Sequence, residues 1–107
     1  MHVYTHLVQF YETDLMGIVH HSNYLRFCEE ARVAWAHGAG LIDYQTPESA
    51  AHFAVLETQV KHRKLSFFGD LIRIELQVRR LGIRIEFHYR LQTDRQGLVA
   101  EVTTVHV

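Results

Sequence analysis

Two stretches in the second half of the chain alternate apolar and polar residues. The apolar positions are Ile72, Ile74, Leu76 and Val78 in the first, and Ile83, Ile85, Phe87, Tyr89 and Leu91 in the second. This period of two predicts half-buried antiparallel strands with one face on a core. Asp94 to Gly97 has the composition of a hairpin turn, with Gly97 supplying a positive φ. Leu98 to Val107 is then a last strand, inside which the chain stops.

One long segment carries a helical period instead. Its apolar face consists of Tyr24, Phe27, Cys28, Ala31, Ala34, Trp35 and Gly38. Ser22 or Asn23 is a suitable N-cap, and glycines 38 and 40 mark the C-terminal end. Between residues 31 and 36 the helix is apolar nearly all round, which predicts a helix that a sheet wraps around.

The remaining segments have weaker patterns. Alternation predicts a first strand from Val3 to Phe10, with Tyr4, His6, Val8 and Phe10 on its more apolar side. A second strand is predicted from His52 to Lys64, with Ala54, Leu56, Thr58, Val60 and His62 on one side. Leu41 to Ala51, which contains Pro47, is expected to be a loop with one short helical turn, and Leu65 to Asp70 a turn or bulge.

The order of these elements predicts an α+β domain in which one helix packs on an antiparallel sheet. One helix covers one face, and an open sheet has two edges. Self-association through an edge or the open face is therefore expected.

Composition narrows the class of protein. A chain of 107 residues predicts a single domain, residues 1–107. A net charge of -1 gives no general attraction to nucleic acid. No run approaches the roughly 20 apolar residues that span a bilayer, and no signal peptide is recognisable. Cys28 is the single cysteine, so an internal disulfide is excluded. We expect a cytoplasmic protein.

The most suggestive chemistry lies between the first strand and the helix. Asp14 is followed by Gly17, so the backbone can turn sharply beside a carboxylate. His21 stands where the helix begins, and a helix start offers unpaired N–H groups and a partial positive charge. Asp14 can act there as nucleophile or general base, facing donors for a developing oxyanion. The alternative is an Asx turn that only holds its own backbone. The apolar neighbours of Asp14 favour a buried, reactive carboxylate.

Other chemistries have weaker support. The nine histidines are scattered, and neighbouring His20 and His21 are poor joint ligands, so no metal site is predicted. Cys28 lies on the apolar helical face, where a thiol is usually inert. Lys61, Arg63 and Lys64 form a basic cluster with His62 that can hold phosphates or simply be a solvated strand end. Phe67 and Phe68 can line a pocket or fill the core.

The segment from Tyr11 to Leu25 resembles the hotdog-fold acyl-CoA thioesterases of the 4-hydroxybenzoyl-CoA thioesterase type. The shared pattern is Asp-x-x-Gly, two apolar residues, then His-x-x-Tyr. The residues that carry it are Tyr11, Thr13, Asp14, Gly17, Ile18, Val19, His21, Tyr24 and Leu25. Glu30-Ala31-Arg32, Gly69-Asp70-Leu71 and Leu81-Gly82 also fit. The resemblance implies one long helix wrapped by a curved antiparallel sheet, in a dimer or tetramer with active sites at subunit interfaces.

The resemblance also implies roles for individual residues. Asp14 matches the catalytic carboxylate, the backbone N–H of His21 the donor to the thioester carbonyl, and Gly17 the turn glycine. The substrate contacts it suggests are Tyr24, Val19, Arg63, Lys64 and Phe67. No cofactor is implied. This chain departs from the family in having Glu12 where many members have Asp. It also has His62, Leu65 and Ser66 where Tyr and then Pro-Ala are common. It ends earlier than its relatives, which is consistent with a clipped last strand.

Three functions from different classes stay open at this point. The first is hydrolysis of an acyl thioester of CoA, or of an acyl carrier protein, to free acid and thiol. The second is a hotdog module that binds such a thioester without hydrolysing it. The third is a dehydratase of β-hydroxyacyl thioesters that pairs His21 with Asp14. The acyl group is not disclosed by the sequence.

Overall fold

The computed structural model describes residues 1–42, 45 and 54–107. These residues form strand β1 (His2–Leu7), a short 3₁₀ helix (Phe10–Glu12), helix α1 (Asn23–Gly38), and strands β2 (Val55–His62), β3 (Leu71–Leu81), β4 (Arg84–Thr93) and β5 (Gly97–His106). The expected helical turn near Pro47 and the expected strand start at His52 lie outside the described residues.

The described strands form one five-stranded antiparallel sheet in the order β1-β3-β4-β5-β2. Strands β3, β4 and β5 follow one another through tight turns. Gly82 and Gly97 adopt φ values of +63° and +72° at these turns, a region that glycine enters without strain. The two hairpins expected from the alternating pattern are thereby confirmed.

Helix α1 packs against one face of this sheet, as the α+β prediction requires. The buried sheet positions are Ile72, Ile74, Leu76, Phe87, Tyr89, Leu91, Val99, Ala100 and Val102. From the helix, Tyr24, Phe27, Cys28 and Ala31 complete the cluster. Val78 and Ile83 are exceptions, because they lie at the far end of the β3–β4 hairpin and are 37% and 81% exposed.

The first two strands differ from their expected limits. Strand β1 ends at Leu7, because the Val8 N–H turns to the Asp70 carbonyl (2.9 Å) and the 3₁₀ helix follows. Phe10 is therefore 73% exposed and does not share the inner face with Tyr4 and His6. Strand β2 lies at a sheet edge, and of its eight residues all but Val60 are exposed. Of the residues predicted to share one side of this strand, only Val60 is partly buried.

The start of the helix also differs in detail. Ser22 occupies the N-cap position, but its side chain makes no capping hydrogen bond and pairs instead with Nδ1 of His20 at 2.8 Å. Asn23 lies inside the helix, and its Nδ2 donates to the Glu12 carbonyl at 2.8 Å. The prediction of Ser22 as the N-cap residue was therefore correct, but its side chain does not cap the helix by a hydrogen bond. In the described part of the chain, no helix has the length and apolar character needed to cross a membrane.

Candidate active site

The segment that leads into α1 is a small two-stranded ribbon. The Asp14 N–H donates to the Ile18 carbonyl (2.8 Å), and the His20 N–H donates to the Glu12 carbonyl (3.0 Å). Thr13 and Val19 form a bridge between these two bonds. We call residues 12–20 the Asp14 ribbon. Its tip contains Gly17 at φ +75°, so the turn predicted beside the carboxylate is present.

Asp14 stands at the tip of this ribbon. Its Oδ1 accepts hydrogen bonds from the backbone N–H groups of Met16 (2.8 Å) and Ile18 (3.2 Å), which is the Asx turn. The side chain is exposed, as are Leu15 and Met16, so the expected burial was wrong. Leu15 and Met16 point to solvent and do not cover the carboxylate, whereas Ile18 and Val19 are partly or fully buried. Among the described residues no group donates to Oδ2, which leaves that oxygen available.

His21 lies where the ribbon meets the helix. The Asn23 N–H bonds to the His20 carbonyl (3.0 Å) and the Tyr24 N–H to the His21 carbonyl (3.3 Å). The His21 N–H has no acceptor within the described residues, and the residue is exposed. Its ring lies against the His20 ring, with centroids 4.3 Å apart. Within the described part of the chain, an unpaired donor therefore lies at the positive end of α1.

Two of the expected substrate contacts are nearly buried. Val19 is 5% and Tyr24 4% exposed. The Val19 N–H donates to the Ser66 carbonyl at 2.9 Å, and the Tyr24 and Ser66 hydroxyls are 2.6 Å apart. Burial raises the pKa of Tyr24, although the hydrogen bonds from Ser66 oppose the shift. Val19 and Tyr24 therefore join the ribbon and the first turn of α1 to Ser66.

Phe67 is brought to the ribbon, whereas the basic residues are not. Phe67 is half-buried and forms a bridge with Ile18, and the Arg95 guanidinium lies 5.6 Å from its ring centre. Arg63 and Lys64 are exposed, and both backbone N–H groups donate to the Val99 carbonyl. Arg63 forms an ion pair with Glu101 at 2.8 Å. No hydrogen bond within the described residues links either basic side chain to the ribbon.

His62 is a neighbour that sequence reasoning did not place at the site. Its ring centre is 5.4 Å from that of Tyr24 and 6.3 Å from that of His21. In the sequence, His62 is a member of a basic cluster at a strand end and a departure from the Tyr common in the family. Its approach to the helix start depends on how β2 pairs with β5, which no local pattern discloses.

A second group missed from the sequence surrounds Glu12, the first residue of the ribbon. Its carboxylate lies 2.8 Å from Nε2 of His6, and its Oε1 also accepts the Gln9 N–H at 2.7 Å. The other ring nitrogen of His6, Nδ1, lies 2.9 Å from Glu30 of α1. The period-two pattern placed His6 on the inner side of the first strand but gave no sign of its partners.

The rival chemistries find little support in the described residues. No three His, Cys, Asp or Glu side chains in residues 1–42, 45 and 54–107 are grouped as a metal ion requires. Cys28 is buried in the core, and burial raises the pKa of its thiol, as expected of an inert packing residue.

An open groove of about 970 Å³ lies elsewhere. It is lined mainly by polar residues on the strands, including Gln59, Lys61, Gln77, Arg79, His88 and Arg90. None of its lining residues belongs to the Asp14 ribbon. In the ribbon, by contrast, a carboxylate oxygen and a backbone donor that have no partner among the described residues occur together.

The architecture defines the class of protein. A single long helix on one face of a curved five-stranded antiparallel sheet, with a carboxylate-bearing turn at the helix start, is the hotdog fold of thioesterases. The model of the thioesterase-like superfamily matches residues 8–107. The chain belongs to this family and is a thioester hydrolase.

Individual relatives agree with this assignment. A solved hypothetical protein from Thermus thermophilus is 31% identical with a TM-score of 0.89, over 100% of this chain and 83% of that one. Another from Aquifex aeolicus is 32% identical with a TM-score of 0.86, over 97% and 85% of the two chains. A Nostoc punctiforme protein named 1,4-dihydroxy-2-naphthoyl-CoA hydrolase is 32% identical over 107 residues, 97% of this chain and 71% of that relative.

Proposed function

We propose that the chain hydrolyses an acyl-CoA thioester to the free acid and CoA, with Asp14 as the catalytic carboxylate. The observation that supports the proposal is that Asp14 Oδ2 and the His21 N–H, neither of which has a partner within the described residues, occur together in the ribbon and the helix start that follows it. Asp14 pairs across the ribbon with Ile18, and His21 follows Ile18 by three positions. At roughly 3.3 Å per residue their backbones are about 10 Å apart, which a carboxylate and a bound thioester together span.

The chemistry follows from this arrangement. A thioester carbonyl that accepts the His21 N–H is polarised by that donor and by the helix terminus. Asp14 then either attacks the carbonyl carbon, giving an anhydride that water cleaves, or takes a proton from an attacking water. In both routes the C–S bond breaks, and the CoA sulfur leaves with the electron pair and is protonated. The Asx turn supports either role, because Oδ1 fixes the carboxylate while Oδ2 stays free.

Substrate contacts are also part of the proposal. Phe67 offers a half-buried ring beside the ribbon for the acyl group, and Val19 and Tyr24 shape the wall beneath it. Arg63 and Lys64 are exposed cations that suit the phosphates of CoA. The relatives named as hydrolases of 1,4-dihydroxy-2-naphthoyl-CoA favour CoA as carrier and an aromatic acyl group. We propose a cytoplasmic location as well, which cell fractionation tests.

The assembled protein is proposed to be a dimer or a tetramer. Strand β2 exposes almost all of its residues at a sheet edge. Phe10, Leu15, Met16 and Phe68 expose apolar surface around the ribbon. A second copy of the chain would cover both. Light scattering at micromolar concentration should give a multiple of the 12.5 kDa chain mass, and a monomer would contradict this part of the proposal.

The deciding experiment measures thiol release from short, long and aromatic acyl-CoAs by wild type, Asp14→Asn and Asp14→Ala. Asparagine keeps an Oδ1 that accepts the Met16 and Ile18 N–H bonds, so the turn survives while the carboxylate is lost. We expect kcat to fall about 100-fold or more in both variants. Asp94→Asn, on an exposed turn, is the matched control and should match wild type.

Three outcomes distinguish the alternatives. Full turnover by Asp14→Asn would refute Asp14 as the chemical group. A wild type that hydrolyses no thioester but retains acyl-CoA through purification would identify a binding module. Hydration of an enoyl thioester in place of thiol release would identify the dehydratase.

A further inference from the structure

His6 is held between two carboxylates, one at each ring nitrogen. Nε2 lies 2.8 and 3.1 Å from the two oxygens of Glu12, and Nδ1 lies 2.9 Å from Glu30. The Phe27 ring stacks on the imidazole with centroids 4.2 Å apart. The side chains of His6 and Glu12 are 10% and 8% exposed. His6 and Glu12 therefore lie largely out of water between β1, the 3₁₀ helix and α1, whereas the Glu30 side chain is 42% exposed.

The two contacts limit where the protons of this cluster can lie. An ionised carboxylate only accepts hydrogen bonds, and a neutral imidazole carries a single N–H. With both carboxylates ionised, the two contacts need an imidazolium that donates from both nitrogens, whereas a protonated Glu30 would donate to a neutral ring. The charged groups that face it within the described residues are Glu12 and Glu30, with Glu29 next to the latter; β3 offers the apolar Ile72 opposite His6. Burial raises the pKa of Glu30, His6 opposes that shift, and Glu12 and Glu29 add to it.

The cluster is connected directly to the Asp14 ribbon. The Glu12 carbonyl accepts both the His20 N–H (3.0 Å) and Nδ2 of Asn23 (2.8 Å). One residue thus links the beginning of the ribbon to its end and to the first turn of α1. His6 contacts the carboxylate of Glu12 in the ribbon and that of Glu30 in α1. It therefore connects the ribbon to the helix whose N-terminal end lies beside the His21 N–H.

We propose that His6 is a positioning residue for thioester hydrolysis, whose protonated imidazole holds the ribbon and α1 in the arrangement that lets Asp14 and His21 act on one carbonyl. This inference rests on the proposed function. The proposal predicts that turnover depends on the second proton of the His6 ring, which takes no part in the reaction with the substrate. Loss of that proton removes one of the two carboxylate contacts, so kcat falls as the pH rises.

The experiment records kcat and KM against pH for wild type, His6→Gln, Glu30→Gln and His88→Gln. In Glu30→Gln the imidazolium loses one neighbouring charge, so the alkaline fall in kcat should move to lower pH by about 0.5–1 unit, with the plateau within about twofold. His6→Gln should lower kcat about tenfold, leave KM within about twofold, and lack the alkaline fall. His88→Gln should keep the wild-type profile, because His88 lies 3.8 Å from Glu86 on the polar side of the sheet.

A second measurement needs no activity. The ¹⁵N resonances of His6 at neutral pH should show both ring nitrogens protonated in wild type. A neutral tautomer, or an unshifted profile in Glu30→Gln beside an active wild type, would overturn the role of His6 and leave the proposed function standing. A wild type that hydrolyses no thioester would overturn the proposed function and this role with it. If His6→Gln does not fold, the pH profile of Glu30→Gln and the ¹⁵N resonances of His6 in wild type still test the proposed role of His6.

Discussion

The hydroxyl groups of Tyr24 and Ser66 lie 2.6 Å apart, 42 positions apart in the chain, with both side chains almost fully buried. Tyr24 belongs to the first turn of α1, and Ser66 follows β2. Their bond therefore joins the beginning of the helix to the connection between β2 and β3. Val19 of the ribbon adds a backbone bond to Ser66 at 2.9 Å.

Removing one partner of this pair should cost more than removing both. Ser66→Ala leaves a buried Tyr24 hydroxyl without its partner, so the free energy of unfolding should fall by about 1–3 kcal/mol. Adding Tyr24→Phe to that variant should recover part of the loss. Urea unfolding of the two single variants and the double variant measures the coupling between the groups. Strictly additive losses would show that the bond contributes nothing.

Gly17 should matter to activity beyond its effect on stability. At φ +75° an alanine is strained, although no atom lies within 4 Å of its Cβ, so Gly17→Ala should cost about 1 kcal/mol. Gly82→Ala is the matched control, because Gly82 has φ +63°, an equally open Cβ position and a place in a remote hairpin. Similar unfolding midpoints for the two variants, with kcat reduced in Gly17→Ala alone, would tie the ribbon turn to turnover. Equal activity in both would contradict that link.

Alkaline pH should destabilise the fold through its buried tyrosines. Burial raises the pKa of Tyr89 above its ordinary value of 10.0, while Thr104 and Arg32 oppose the shift. Above about pH 10 the folded state therefore holds more protons than the unfolded state, and stability falls as the pH rises. Urea unfolding at pH 8, 10 and 11 should show this fall. The fall should be shallower in Tyr89→Phe and unchanged in Tyr11→Phe, whose ring is 79% exposed.

Cys28 should react with thiol reagents only when the protein opens. It is 1% exposed, and burial raises the pKa of its thiol, so little thiolate is present at neutral pH. Labelling with an aromatic disulfide should be slow under native conditions and immediate in denaturant. Rapid labelling of the native protein would place Cys28 at an accessible surface.

Local patterns were sufficient to predict helix α1 and the strands of the β3–β4–β5 meander. The strands around residues 72–91 follow a period of two and end at glycine turns, so their pairing needs no long-range information. The apolar face predicts the helix, and the Asp14-x-x-Gly17 pattern predicts the turn beside the carboxylate. In each case the information lies within a few neighbouring residues.

Burial and side-chain partners were not predictable in this way. Alternation shows which residues of β2 share a face, but not that the strand lies at an edge where little covers either face. The exposure of Asp14 depends on where its apolar neighbours point. The contacts of His6 with Glu30 and of Tyr24 with Ser66 join residues 24 and 42 positions apart, so they exist only once the chain has folded.

The strand order also constrains the route by which the chain folds. Strands β3, β4 and β5 are neighbours in sequence and in the sheet. Strand β1, by contrast, is separated from its partner β3 by α1 and β2 in the sequence, and its His2 pairs with Leu76. Closing that long loop costs more entropy than forming a hairpin. The three-strand meander should therefore form first, and the segment that carries Asp14 should dock last. In a refolding experiment, recovery of turnover would lag behind recovery of sheet structure, and native-state amide exchange would open the ribbon before β4.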